Sequence, residues 1–210
     1  MNISSNTFSL SFPGIPAGIL QPPFFDDHRP YAMNYGAIGT LIGHELTHAF
    51  DNDGAKYDKE GKLANWWSPE TCARFNEKSQ CFVEQYGALR EPLSGKTVNG
   101  SLTLAENIAD NGGIRKAWAV YREHQKATGK PSPVLPNLKL SADQLFFTAY
   151  AHSWCEHVTP EAEKMMLIYD VHSPGRFRVN TVLGNTAAFA TVFQCPLGSK
   201  MNPVKKCSLW

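Results

Sequence analysis

The sequence predicts a mainly α-helical chain with a few short strands, and three observations carry that prediction. Apolar residues recur at three- and four-residue steps, as in Ile38, Leu41, Ile42 and Leu46, which lines one face of a helix. Helix-opening signals stand in front of later runs: Ser68-Pro69, Thr159-Pro160 and the capping-box pattern Ser141-Ala142-Asp143-Gln144. A long helical pattern fills 103–128. The chain has 210 residues, 42% of them hydrophobic, enough for a buried core in one domain or one large piece of a split domain.

The elements follow in order. Residues 1–33 are rich in Pro, Gly and Ser, and repeated prolines forbid a helix, leaving irregular chain or short strand. A helix is expected over 34–50, its apolar side formed by Ile38, Ile42 and Leu46, and Asp51-Asn52-Asp53-Gly54 then marks a turn. Ser68 caps a helix carrying Phe75, Phe82 and Tyr86, and 92–101 is a loop. The helix over 103–128 contains Gly112-Gly113 and stops at Gly129-Lys130-Pro131. Each internal glycine costs about 1 kcal/mol relative to alanine, which points to close backbone packing or a kink. Ser141 opens the next helix and Thr159 a short one. Residues 171–184 read as extended and loop-like, and Asn185 as the cap of a final short helix reaching Phe193.

Formal net charge is +1 with no long basic run, so nucleic acid is a poor partner. No apolar stretch approaches the roughly 18 residues that span a bilayer, and the N-terminus lacks the pattern of a signal peptide. Five cysteines, Cys72, Cys81, Cys155, Cys195 and Cys207, form no C-x-x-C pair. Together with the sequons at Asn2 and Asn99, they favour an extracellular setting.

The chemistry concentrates at His44-Glu45-Leu46-Thr47-His48. On a helix, residues four apart share a face, so both imidazoles can reach one zinc ion at about 2.0–2.1 Å. Glu45 adjoins the first ligand and can act as general base on a metal-bound water without ligating. A third ligand is needed, and Glu106 and Asp110 stand at i and i+4 in the long helix. Glu106 suits the metal, and Asp110 suits the free ring N–H of a ligating histidine. The alternative is a solvated acidic face, but "LTLAENIADNGGI" holds few other charges, and isolated carboxylates among apolar residues need a partner. Two histidines, a glutamate and an open fourth position describe a catalytic zinc site.

The sequence resembles the neprilysin and endothelin-converting enzyme family over 16–210, leaving 1–15 as a divergent N-terminal segment. The resemblance rests on "PAGILQPPFF", "IGHELTHAFDNDG", "NWW", "ENIADNGG", "LPNLKLSADQLFF", "DVHSPGRFR", "MNP" and "KKCSLW". It implies the C-terminal part of a thermolysin-like (gluzincin) catalytic core, incomplete without a large N-terminal region and membrane anchor. That N-terminal region is then a partner alongside peptide substrates, and the setting is a cell-surface ectodomain. It implies zinc on His44, His48 and Glu106, with Glu45 as base and Asp110 as partner of His44. By the same resemblance His172 stabilises the oxyanion and Arg178 hydrogen-bonds a substrate carbonyl. It further implies a Cys81–Cys207 disulfide, family partners in the N-terminal region for Cys155 and Cys195, and an extra thiol at Cys72.

The reaction so implied is hydrolysis of peptides on the amino side of hydrophobic residues. The family's Asn-Ala-aromatic substrate strand is not found upstream of Pro16. Two other readings therefore stand beside it: a truncated, catalytically weak or inactive form, and a non-catalytic peptide-binding module.

Overall fold

A computed structural model describes residues 14–209. The Asn2 sequon and all but the last two residues of the divergent segment lie outside that range. After a 3-10 turn at Ala17–Ile19, a longer helical stretch opens with α1 (Tyr31–Asn34), passes through one π-helical turn (Tyr35–Gly39) and continues as α2 (Thr40–Thr47). A 3-10 turn, His48–Phe50, closes it. Then come α3 (Pro69–Gly87), α4 (Leu104–Thr128), α5 (Ala142–Ser153), α6 (Pro160–Tyr169), α7 (Gly175–Asn185) and α8 (Ala187–Val192).

The expected caps form. Ser68 accepts from the Thr71 amide at 3.1 Å, Thr159 from Ala162 at 3.2 Å, and Ser141 and Gln144 close a complete capping box. Gly129, in the left-handed region at φ 62°, ends α4.

Helix α4 is the spine. Its Ile114, Ala117 and Tyr121 enter one core with Ala32, Phe146, Phe147, Tyr150, Val182 and Phe189. Its Ile108 enters a second core with Phe75, Phe82, Tyr86 and Val98. Helix α2 crosses α4 at a glycine contact. A Cβ on Gly43 would lie 2.6 Å from the Gly113 carbonyl oxygen, and one on Gly113 would lie 2.6 Å from the His44 nitrogen. Of the two roles open to Gly112-Gly113, close backbone packing is the one the structure shows. The Cys81–Cys207 disulfide forms, with Cα atoms 5.7 Å apart, within bridging range. It ties the C-terminal tail to α3, and Cys72, Cys155 and Cys195 are free thiols.

Four expectations are corrected. The short strands reduce, among the described residues, to isolated antiparallel bridges at Tyr57–Leu63, Arg90–Thr97 and Ser199–Asn202. Most of 171–184 is the helix α7 rather than extended chain. Pro174 opens it by accepting the amides of Phe177 and Arg178, and burial of Val182 and Leu183 outweighs the β-branched composition. Leu46 is 54% exposed, because it stands about 200° round the helix from His44, and Gly43 and Thr47 fill the buried side instead. Asn185 ends α7, and Thr186 takes the position before α8. The Asn185 amide bonds Gln85 and Asn111 and accepts the Cys207 N–H.

Candidate metal centre

The crossing of α2 and α4 brings His44 and His48 against Glu106. Their Nε2 atoms are 3.0 Å apart, and Glu106 Oε2 lies 3.1 Å from His44 Nε2 and 3.5 Å from His48 Nε2. Each ring is held from behind. His44 Nδ1 meets Asp110 Oδ1 at 2.8 Å, and His48 Nδ1 meets Asp51 Oδ2 at 2.6 Å. Carboxylates take the Nδ1 protons, so each Nε2 points at the third donor and offers a metal its lone pair once it carries no proton. Glu106 Oε2 is buried without an aligned hydrogen-bond donor.

These atoms fit a metal. Three electron-rich donors this close repel one another unless a cation or proton lies between them. Two ligands at 2.0–2.1 Å from a tetrahedral zinc stand about 3.3–3.4 Å apart, and the observed 3.0, 3.1 and 3.5 Å bracket that value. Among the described residues, His44, His48 and Glu106 form the one His, Cys, Asp or Glu group compact enough to hold an ion.

Electrostatics follow the same pattern. Burial opposes charge on His48, but the hydrogen bond to Asp51 and the nearby Glu106 carboxylate outweigh it and raise its pKa to about 10 in the metal-free protein. Burial alone would lift the Glu106 carboxyl, yet His172, His44 and His48 hold it far below the usual carboxylate range. Asp110 is likewise lowered: burial is overcome by Arg178 and His44.

Two of the remaining expected residues, His172 and Arg178, contact this centre. His172 Nε2 stands 3.3 Å from Glu106 Oε2, and its Nδ1 meets Asp170 Oδ1 at 2.7 Å. Arg178 is 8% exposed and gives Nε and Nη2 to Asp110 at 2.7 and 2.8 Å, while its guanidinium lies 3.8 Å from the Trp154 ring centroid. Glu45, beside His44 on α2, is half-buried.

Three residues of this shell escaped the sequence reading: Asp51, Asp170 and Trp154. In the sequence Asp51 stands out only as a turn former, and it fills that role too, accepting the amides of Asp53 and Gly54 at 2.7 Å each. Its i,i+3 spacing from His48 was the available signal. Trp154 meets Arg178 only through the packing of α5 on α7, and no local spacing announces it.

Comparison with known proteins gives the chain a family. The model of Peptidase family M13 matches residues 3–209. Neprilysin-1 of Caenorhabditis elegans is 48% identical over 196 residues, 93% of this chain and 26% of that protein. The endothelin-converting enzyme homolog of Locusta migratoria is 50% identical over 195 residues, again 93% and 26%. Among solved structures, the Haemonchus galactose containing glycoprotein complex superposes with a TM-score of 0.87 at 39% identity, over 93% of this chain and 33% of that one. Mycobacterium tuberculosis zinc metalloprotease ZMP1 gives 0.81 at 38%, over 86% and 28%. The chain spans about a quarter of the length of the curated relatives it matches. The cofactor is zinc, for which His44, His48 and Glu106 are the grouped donors. A gluzincin-like zinc centre on crossed helices and a family match over nearly the whole sequence lead to one assignment: the chain belongs to peptidase family M13.

Proposed function

We propose that this chain carries the catalytic centre of a zinc endopeptidase that hydrolyses peptides on the amino side of hydrophobic residues. The single observation behind this reading is the convergence of His44, His48 and Glu106, with His172 against Glu106 and Glu45 next to His44 in the chain. Bound zinc supplies Lewis-acid polarisation of the scissile carbonyl and acidifies water. Glu45 takes the water proton and returns it to the leaving amine. His172, oriented by Asp170, donates from Nε2 to the developing oxyanion. Asp110 fixes the tautomer of His44, and Asp51 that of His48. Arg178 commits two donors to Asp110, and its remaining N–H groups are the ones available to a substrate carbonyl.

The test is cleavage of an internally quenched peptide with a hydrophobic residue after the scissile bond. Cleavage should stop with chelator, return with zinc and stay absent in Glu45→Gln. Cleavage that persists in chelator and in Glu45→Gln overturns the reading.

A second reading, a catalytically weak chain, has its own observation. Met165, Ile168, Tyr169 and Val171 are exposed on and just after α6, immediately before His172. The longer relatives have further sequence that could cover such a face, and we propose their N-terminal region as that partner. Weak cleavage by this chain, enhanced by adding that region, supports this version. A cell-surface or extracellular setting accords with it and with the Cys81–Cys207 disulfide.

A further inference from the structure

The segment after the metal helix folds back on it as a clamped loop. Asp51 ties the start of the loop through the amides of Asp53 and Gly54. Tyr57 and Leu63 bridge, Asp58 Oδ1 accepts the amides of Glu60 and Lys62 at 2.9 Å each, and Trp66 Nε1 donates to the Tyr57 carbonyl at 2.8 Å. Between this loop and the end of the helix lies a cavity of about 460 Å³. Its walls are three aromatic side chains, Phe50, Tyr57 and Trp66, which are 47%, 38% and 50% exposed. Its charged lining is Asp58, Glu60 and Lys59: two carboxylates against one ammonium. Lys59 stands 3.6 Å from Glu60, so the unbalanced charge is negative.

We infer that this aromatic, acidic cavity is a binding subsite for a basic side chain, the guanidinium or alkylammonium of an arginine or lysine in a peptide. Aromatic faces attract cations through their quadrupole, most strongly for Trp, and neighbouring carboxylates add to the attraction. An anionic group would meet the π faces and net negative charge, and a purely apolar group would leave the carboxylates unused. The cavity also adjoins the metal centre through the backbone. Gly54 lines it and packs so tightly under the metal helix that a Cβ there would come 1.8 Å from the His48 carbonyl oxygen. The two residues that follow the ligand His48 in the chain, Ala49 and Phe50, both line it. The identification of the occupant as a peptide side chain rests on the peptidase reading, whereas the recognition of a cation does not.

The experiment titrates Nα-acetyl-arginine amide, with Nα-acetyl-norleucine amide as the neutral comparison, into the 210-residue chain. Calorimetry and tryptophan fluorescence are read with zinc bound and after chelation. The arginine probe should bind saturably in both states and at least about tenfold more tightly than norleucine, with an affinity that falls as salt rises. Trp66→Ala should weaken it about tenfold, Trp66→Phe should retain most of it, and Glu60→Gln, at an exposed rim position, should weaken it about twofold to fivefold. Equal binding of norleucine overturns the inference, as does arginine binding unchanged in both Trp66→Ala and Glu60→Gln, or no saturable binding. The two readings separate cleanly. A chain that cleaves peptides but ignores the arginine probe refutes the subsite alone. One that binds the probe but never cleaves, even with the relatives' N-terminal region added, refutes the peptidase reading alone.

Discussion

Arg178 and Asp110 form a buried two-point pair, Nε to Oδ2 at 2.7 Å and Nη2 to Oδ1 at 2.8 Å, and the same Oδ1 takes His44 Nδ1. One carboxylate thus serves a permanent cation and a metal-facing imidazole. Its negative charge is balanced by Arg178, while its hydrogen-bonding capacity orients His44.

Asp110→Asn should therefore keep much of the shape but lose the charge that anchors both neighbours. Zinc affinity should fall about 10–100-fold, measured by competition with a chromophoric chelator. Arg178→Met, which leaves Asp110 buried without its cation, should destabilise the chain by about 3–5 kcal/mol in denaturant titration. Unchanged zinc affinity in Asp110→Asn would remove Asp110 from the support of His44.

Glu45→Gln separates metal binding from proton transfer. One zinc per chain should remain by elemental analysis while cleavage falls by at least about 10². Loss of the metal in this variant would make Glu45 a ligand or a structural support instead of a base.

The pH dependence follows from His48, whose pKa is raised to about 10 in the metal-free protein. A raised pKa contributes stability that is fully present below the ordinary histidine value of 6.5 and is lost as pH rises through about 10. Metal-free protein should thus become less stable from pH 7 towards 10, whereas the zinc-loaded form should lack this His48 contribution. At pH 7 zinc must displace that proton, so binding should release about one proton per metal in weakly buffered solution. Zinc uptake without proton release would contradict a protonated His48.

Gly43→Ala and Gly113→Ala both push a methyl group into opposing backbone, at 2.6 Å in each case. Each should destabilise by about 1–3 kcal/mol and weaken zinc binding together with stability. Gly87→Ala, where nothing lies within 4 Å of the new Cβ, is the control and should leave zinc binding intact. Thermal unfolding of zinc-free and zinc-loaded protein reads both effects.

The Cys81–Cys207 bridge closes a separation of 126 residues. Loop-closure entropy sets its contribution at no more than about 5 kcal/mol. Cys207→Ala should lower the denaturant midpoint, and reductant should do the same to the wild type but not to the variant. An identical midpoint for the oxidised and reduced wild type would refute this.

The sequence displayed some of this centre openly and hid the rest. His44 and His48 were legible because four residues is one helical turn, a relationship the backbone fixes by itself. Glu106 and Asp110 were candidates for the same reason, but their meeting with α2 depends on the Gly43–Gly113 crossing, which pattern alone only hinted at. Helix α7 is hidden in the sequence because Pro174, Gly175 and the β-branched Val179, Thr181 and Val182 argue locally for extended chain, and only burial between helices decides otherwise. Leu46 was misassigned by extending an apolar stripe one turn too far, past the point where the buried face passes to Gly43 and Thr47.

The crossing of α2 and α4 has a wider implication. Two ligands ride on one rod and the third on another, and at Gly43 and Gly113 the rods touch backbone to backbone. A cushion of leucines could yield by fractions of an ångström and let the donors drift. A bare peptide contact has almost no such compliance, so the gap that receives the ion is gauged by main-chain radii. Metal affinity then becomes a ruler for the interior: any distant substitution that shifts one helix along the other registers as a change in zinc retention before it registers as unfolding.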